Sequence, residues 1–289
     1  MPIRKILVPL GGTERDALTL ATTAVVARHL EAHMEALFVR PPPSEALPFM
    51  GEGIAGPVIQ DILTAAREAA DHAVSRSREQ LEALSQNTGL PIIDAPRGPG
   101  APTLSFAEET GPFADVVAAR ALLSDLVAFT APRNDEGVGL STAFQQCLMS
   151  SGRPIFLVPD NAPITHIGEA VTIGWDGSSE AAHAVHNAMP FLKTAKRIDV
   201  LNVTSGPKDT SLTDRLADYL TYHGLKSLEH VVDPEGRPTG DVLIEQARAM
   251  GSDMIVMGGY GHSRIRELII GGATRHVLFH TAMPILLAH

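Results

Sequence analysis

Short apolar runs alternate along this chain with stretches whose apolar residues recur at helical spacing. Ile6-Leu7-Val8-Pro9-Leu10 closes in Gly11-Gly12-Thr13, and Val171-Thr172-Ile173-Gly174-Trp175 closes in Asp176-Gly177-Ser178. Each reads as a buried strand ending in a glycine turn with a hydroxyl helix cap. Further runs place first-half strands near 3–9, 34–39, 90–95, 114–119 and 154–158. The second-half strands fall near 170–175, 198–203, 227–232, 253–257 and 284–288. Helical spacing predicts a long helix from about Pro57 to Asn87 and a shorter one from Ser211 to Tyr222. Strands separated by helices build a parallel sheet through right-handed crossovers.

The two halves repeat one another. The strand-one turns lie 165 positions apart, and Val39 matches Val203 at nearly the same offset. Ala114-Asp115-Val116-Val117 is matched with Ser252-Asp253-Met254-Ile255, and Arg153-Pro154-Ile155-Phe156-Leu157 with Met283-Pro284-Ile285-Leu286-Leu287. Landmarks in one order indicate an internal duplication. The expected architecture is therefore α/β: two doubly wound five-stranded parallel-sheet domains, each of strand order 3-2-1-4-5. Residues 1–160 form the first and 164–289 the second, with a short polar boundary at Asp160-Asn161-Ala162-Pro163. Surface loops are expected where breakers cluster, at Pro41 to Pro57 and at Thr130 to Gly139. The last strand of each sheet is an apolar edge. Edges of that kind pair, so the halves are expected to meet there as an intrachain pseudo-dimer.

In an open sheet of this order, ligands bind beyond the carboxyl ends of the strands, where the order reverses between strands 1 and 4. In the second half Asp176 lies there, and so does Gly258-Gly259-Tyr260-Gly261, followed after nine residues by Gly271-Gly272-Ala273-Thr274. Glycines let backbone N–H groups approach an anion, and a helix start adds free N–H groups and a positive dipole end. Thr274 can add a hydroxyl donor, and His262 and Arg275 flank the loop.

This compound spacing, the strand-1 aspartate and the duplicated pattern resemble the universal stress protein family, in a tandem form that covers the whole chain. The resemblance implies adenine contacts from Asp176 and from the backbone of Val203. It implies ribose and phosphate contacts from Gly258, Gly261, Gly271, Gly272, Ala273 and Thr274, and a cofactor that is ATP or AMP, with Mg or Mn as companion ion. One departure is that Gly272 stands where the family pattern has Ser or Thr, which removes a hydroxyl and keeps the backbone donor. In the first half Gly11 replaces the aspartate, Arg120 is matched with Gly258, and Ser141, Thr142 and Phe144 are matched with Gly271, Gly272 and Thr274. Between Asp115 and Pro154 there are 39 positions against 31 between Asp253 and Pro284, eight extra. One nucleotide site per chain is expected, in the second domain.

Composition narrows the alternatives. Lys and Arg total 23 against 33 Asp and Glu, a formal charge of −10, so a nucleic-acid partner is disfavoured. No apolar run approaches the roughly 20 residues of a membrane span. The single cysteine, Cys147, forms no intrachain disulfide and reads as a small buried residue, and a cytoplasmic setting is expected. His183 with His186, and His276 with His280, have helical spacing but no accompanying metal motif; no metal site is assigned. The chain lacks GxSxG and any Gly-Lys pair, hence a Walker A loop, so the glycine loop reads as binding rather than turnover. The expected function is a nucleotide-responsive stress or regulatory protein, which could form a further homodimer. An enzyme with slow ATP hydrolysis or small-molecule chemistry at the same crevice, and a nucleotide-free interaction protein, are the alternatives.

Overall fold

The computed structural model describes residues 2–46, 56–131, 138–160, 164–205, 210–259 and 281–289, with the side chains of 138–141 outside it. The first half runs β1 (Lys5–Leu10), α1 (Arg15–Leu30), β2 (His33–Arg40), α2 (Gly56–Thr88), β3 (Thr103–Thr110), α3 (Phe113–Ala121), β4 (Leu126–Thr130), α4 (Val138–Ser150) and β5 (Ile155–Val158). The second runs β6 (Ala170–Gly174), α5 (Ser179–Leu192), β7 (Arg197–Val203), α6 (Ser211–Tyr222), β8 (Leu228–Val232), α7 (Thr239–Ala249), β9 (Met254–Gly258) and β10 (Ile285–Ala288).

The ten strands of the described residues form one sheet in the order β3-β2-β1-β4-β5-β10-β9-β6-β7-β8. Each half thus has the order 3-2-1-4-5 with parallel neighbours, and the two join where β10 pairs antiparallel with β5. Alternation along the central strands buries both faces. Ile6, Val8, Phe156, Leu286 and Val256 enter one core cluster, while Leu7, Leu157, Ile285, Leu287 and Ile255 enter the other. Both clusters draw on both halves, so β5 and β10, which would be exposed edges in isolated domains, are the centre of a shared core.

The second-half strands and the two named helices fall where the hydrophobic pattern places them. The first half differs in two places. The strand expected at 90–95 is not formed: only Ile92 bridges to Leu104, and β3 lies at Thr103–Thr110. Pro91 and Pro96 break the apolar run, whereas β3 reads as polar because it is an outer strand with its far end part-exposed. The run at 114–119 is helix α3, whose Val117 and Ala121, four apart, are buried against the sheet. The true fourth strand follows Ser124-Asp125.

This changes the repeat. Ser124-Asp125 corresponds to Ser252-Asp253, and the two aspartates do the same work. Asp125 Oδ2 accepts from Arg4 N and Lys5 N at 2.8 and 3.0 Å. The Asp253 carboxylate accepts from the backbone N–H of Gly168, Glu169 and Ala170 at 3.0, 2.9 and 3.3 Å. Each ties the start of its strand 4 to the start of strand 1. Gly258 is therefore matched by Thr130, not Arg120. The connection is not longer in the first half: 29 positions separate Asp125 from Pro154, against 31 from Asp253 to Pro284.

Of the expected loops, Pro43–Ala46 forms a single 3-10 turn, and α4 already begins at Val138. Residues 47–55, 132–137 and the boundary residues 161–163 lie outside the described residues. Cys147 is fully buried, and burial pushes its thiol up to about 12, so it holds its proton.

Candidate nucleotide crevice

The carboxyl ends of β6, β7 and β9 meet at the reversal point of the second half. Gly174 lies opposite both Leu201 and Met257, which places Val203 and Gly258, the last residues of β7 and β9, and Asp176, two residues past β6, at the same end of the sheet. The turn itself is built locally. Gly177 has φ +77, in the left-handed region that glycine adopts freely. Asp176 Oδ1 accepts from Ser178 N at 3.0 Å and Ser178 Oγ at 2.6 Å, and Ser178 Oγ accepts from Ala181 N at 3.2 Å to cap α5. Asp176 therefore has a turn-forming role whatever else it contacts.

Gly258 is held by packing. A Cβ there would stand 2.6 Å from Ala181 N and 2.8 Å from the carbonyl carbon of Glu180, so only glycine admits the first turn of α5 this close to β9. Val203 is part-buried and packs against the core, with its backbone in register with Val232.

Two residues not singled out from the sequence complete this end of the sheet. Buried Asn202 donates from Nδ2 to Trp175 O at 2.7 Å, tying β7 to the turn after β6. Trp175 donates from Nε1 to Leu212 O at 2.9 Å, and the Leu212 side chain comes within 3.1 Å of where a Cβ on Gly177 would stand. The sequence signal was available: an asparagine inside an apolar strand needs a buried partner. Gly261, His262, Gly271, Gly272, Ala273 and Thr274, with His276 and His280, lie outside the described residues. His183 contacts His289 O at 3.2 Å through Nδ1.

The matching turn of the first half is occupied by the chain itself. Asp16 is buried, and its carboxylate accepts from the N–H groups of Gly11, Gly12 and Thr13 at 3.1, 2.8 and 3.2 Å. Helix α2 closes over it: Arg76 donates to Gly12 O, Gln80 to Thr13 O, and Ala73 Cβ lies 2.6 Å from where a Cβ on Gly12 would be. Thr130, in the place of Gly258, has its hydroxyl hydrogen-bonded to that of Thr19. An internal carboxylate thus sits on the donors that an anion would need.

Burial pushes the Asp16 carboxyl above the ordinary range, against the opposing pull of the three N–H groups and Ser77. Because the folded-state value is the raised one, ionising this buried carboxyl costs stability: the proton-linked part of its contribution is present at low pH and lost as pH rises through that value, while the hydrogen bonds it accepts remain. An Asp16→Ala variant leaves three backbone donors without their acceptor. It is expected to lose about 3 kcal/mol of stability at neutral pH, read by urea denaturation. A loss under about 0.5 kcal/mol would mean that water satisfies the turn as well as the carboxylate does.

Residues 169–289 match the sequence profile of the universal stress protein family. A universal stress protein of Synechocystis sp. is 53% identical over 34 residues, a stretch covering 12% of this chain and 12% of that protein. A universal stress protein of Archaeoglobus fulgidus has the same fold over 98% of this chain and 95% of its own, with a TM-score of 0.69 at 15% identity. A functionally unknown protein of Pseudomonas aeruginosa superposes over 99% of this chain and 92% of its own, with a TM-score of 0.55 at 12% identity. The second half thus carries the universal stress protein profile, and the whole chain shares the fold of a solved universal stress protein.

Proposed function

We propose that this protein is a regulatory stress protein that binds an adenine nucleotide, ATP or AMP, at one site per chain, in the second domain. The observation that carries this reading is the convergence of Asp176, Val203 and Gly258 at the reversal point of the sheet, followed in the sequence by the glycine-rich stretch to Thr274. In this reading the adenine lies against Asp176 and the Val203 backbone. The phosphates face the N–H groups of Gly258, Gly261, Gly271, Gly272 and Ala273, with the Thr274 hydroxyl and His262 beside them and Mg or Mn as counter-ion.

The domains of this proposal are residues 1–160 and 164–289, and its setting is the cytoplasm. The occupied turn at Asp16 supports a single site. Binding rather than turnover is the function, because the chain has no loop lysine for phosphoryl transfer.

Trp175, the only tryptophan, adjoins Asp176 and provides the test. Titration with ATP or AMP, with and without Mg, is expected to change its fluorescence and saturate at one nucleotide per chain. A Gly261→Val variant is expected to abolish the signal while remaining folded, because a branched Cβ blocks backbone approach to the phosphates. Two equal sites, or an unchanged affinity in that variant, would overturn the reading.

A further inference from the structure

Gly258 ends β9, Gly259 follows it, and the two face opposite sides of the sheet. On the side of Gly258 stands α5 of the same half. A Cβ on Gly259 would point the other way, 3.2 Å from Cδ2 of Leu148 and 3.8 Å from Cδ2 of Leu287. Leu148 belongs to α4, so the side chain seated against the exit of β9 comes from the other half of the chain.

The contact is tightly built. Leu148 is only 2% exposed and lies in the core cluster that holds Met257, Ile285 and Leu287, whereas Ala184, Val185 and Ala188 of α5 enter the cluster on the opposite face. The φ of Gly259 lies outside the left-handed region, so its backbone would accept any residue; what the glycine provides is room for Leu148. In the first half Ala131 stands in the matching place. Its N–H donates to Val158 O at 2.7 Å, as that of Gly259 donates to Ala288 O at 2.8 Å, and there a Cβ is accommodated.

The carbonyl of Gly259 is held as well, accepting from His289 Nδ1 at 3.1 Å. The peptide at which the glycine-rich stretch leaves the sheet is therefore fixed from three directions: by the end of β10 through its backbone groups, by α5 through Gly258, and by α4 of the first half through Leu148. Groups that fix the start of a binding loop lower the ordering cost left for the ligand to meet. Linkage makes the effect mutual. Whatever factor α4 contributes to affinity, the ligand returns to the stability of α4.

We infer, resting on the nucleotide reading of this crevice, that Leu148 is a positioning residue for the nucleotide loop of the second half, and that the first half responds to nucleotide through α4. A half whose own turn is filled by Asp16 then has a part in binding: it holds its neighbour's loop and registers whether that loop is occupied.

The test uses the full chain, well below its melting temperature, with ATP and AMP as probes. In the unaltered chain, saturating nucleotide is expected to slow hydrogen exchange over residues 143–150 of α4 as well as in β9 and α5, and to leave β3, at the far edge of the first half, unchanged. Leu148→Ala is expected to weaken nucleotide binding about tenfold, and Gly259→Val to do the same by pushing α4 away. Together the two substitutions exchange equal bulk across the contact, so the double variant is expected to recover affinity to within about threefold of the unaltered chain. Leu81→Ala, an equally buried leucine of α2, controls for destabilisation: it should melt early and bind nucleotide undiminished.

If the unaltered chain binds neither nucleotide, the nucleotide reading falls and this inference with it. If nucleotide binds but exchange in α4 does not change, this inference alone is overturned, and that measurement decides the matter even where Leu148→Ala fails to fold. Full affinity in a folded Leu148→Ala variant, an equal loss in Leu81→Ala, or a folded double variant that binds no better than Gly259→Val would each overturn it too, the last by placing Gly259 against the ligand instead of Leu148.

Discussion

An Ile285→Pro variant is expected to lose at least about 4 kcal/mol of stability. The sum combines a ladder hydrogen bond, a carbonyl left unpaired in the core and the buried isoleucine side chain. The position follows from backbone alternation. Pro284 O and Ala288 O accept from Ile255 N and Gly259 N, so even-numbered residues of β10 turn their polar groups toward β9. In β5, Pro154 O and Val158 O likewise accept from Val127 N and Ala131 N, on the side of β4. The residues between them face across the junction, so Ile285 with Leu157 and Leu287 with Ile155 form the hydrogen-bonded pairs, while Leu286 and Phe156 form the other kind.

Proline at Leu286 would instead cut the bond toward β9. Both variants should be made. Ile285→Pro should raise hydrogen exchange in β5 and β10 together, and Leu286→Pro should raise it in β9 and β10. If Ile285→Pro left exchange along β5 unchanged, the two halves would not share this junction in solution.

The same junction shows which parts of the fold were legible in advance. Strands buried on both faces, such as β1, β5, β6, β9 and β10, are continuous apolar runs and stand out. The outer strand β3 does not: Glu108 and Glu109 sit within it, and its part-exposed face makes Thr103 to Thr110 read like a loop. Meanwhile the run Ala114 to Ala118, apolar enough for a strand, belongs to a helix that buries Val117 and Ala121 and leaves Asp115 exposed; a run this short does not separate the two periods. That one misplacement moved the match of Gly258 to Arg120 and created a spurious insertion. Asp125 and Asp253 held the correct register all along, since a Ser-Asp pair entering an apolar run recurs at both places. The end of the sheet on which Asp176, Val203 and Gly258 come together was legible as a place, because strand order dictates where the reversal point falls. The occupant of the matching first-half turn was not, although Asp16 lies only three to five residues from its donors: sequence alone does not show a carboxylate in the first turn of α1 turning back onto the N–H groups of the preceding loop.

Gly258 is where packing and binding can be separated, and a Gly258→Ala variant is expected to fail on both counts. Its Cβ would meet backbone, Ala181 N at 2.6 Å and the carbonyl carbon of Glu180 at 2.8 Å, and backbone cannot swing aside as a side chain can. Helix α5 must therefore move away from β9, at a cost of about 2–3 kcal/mol for overpacking of this kind. The Ser178 cap and the Asp176 turn would move with it, because Ser178 Oγ is bonded to both Ala181 N and Asp176. Nucleotide affinity should fall in the same variant, through displacement of the whole turn rather than through contact of the new methyl group with a phosphate. Gly56→Ala is the control, since a Cβ there meets nothing within 4 Å and should leave melting unchanged. A Gly258→Ala chain that melts normally but no longer binds ATP would show that the glycine serves the ligand alone. A chain that melts early yet binds ATP undiminished would show that the crevice does not depend on the approach of α5 to β9, and the site would have to be sought elsewhere along the strand ends.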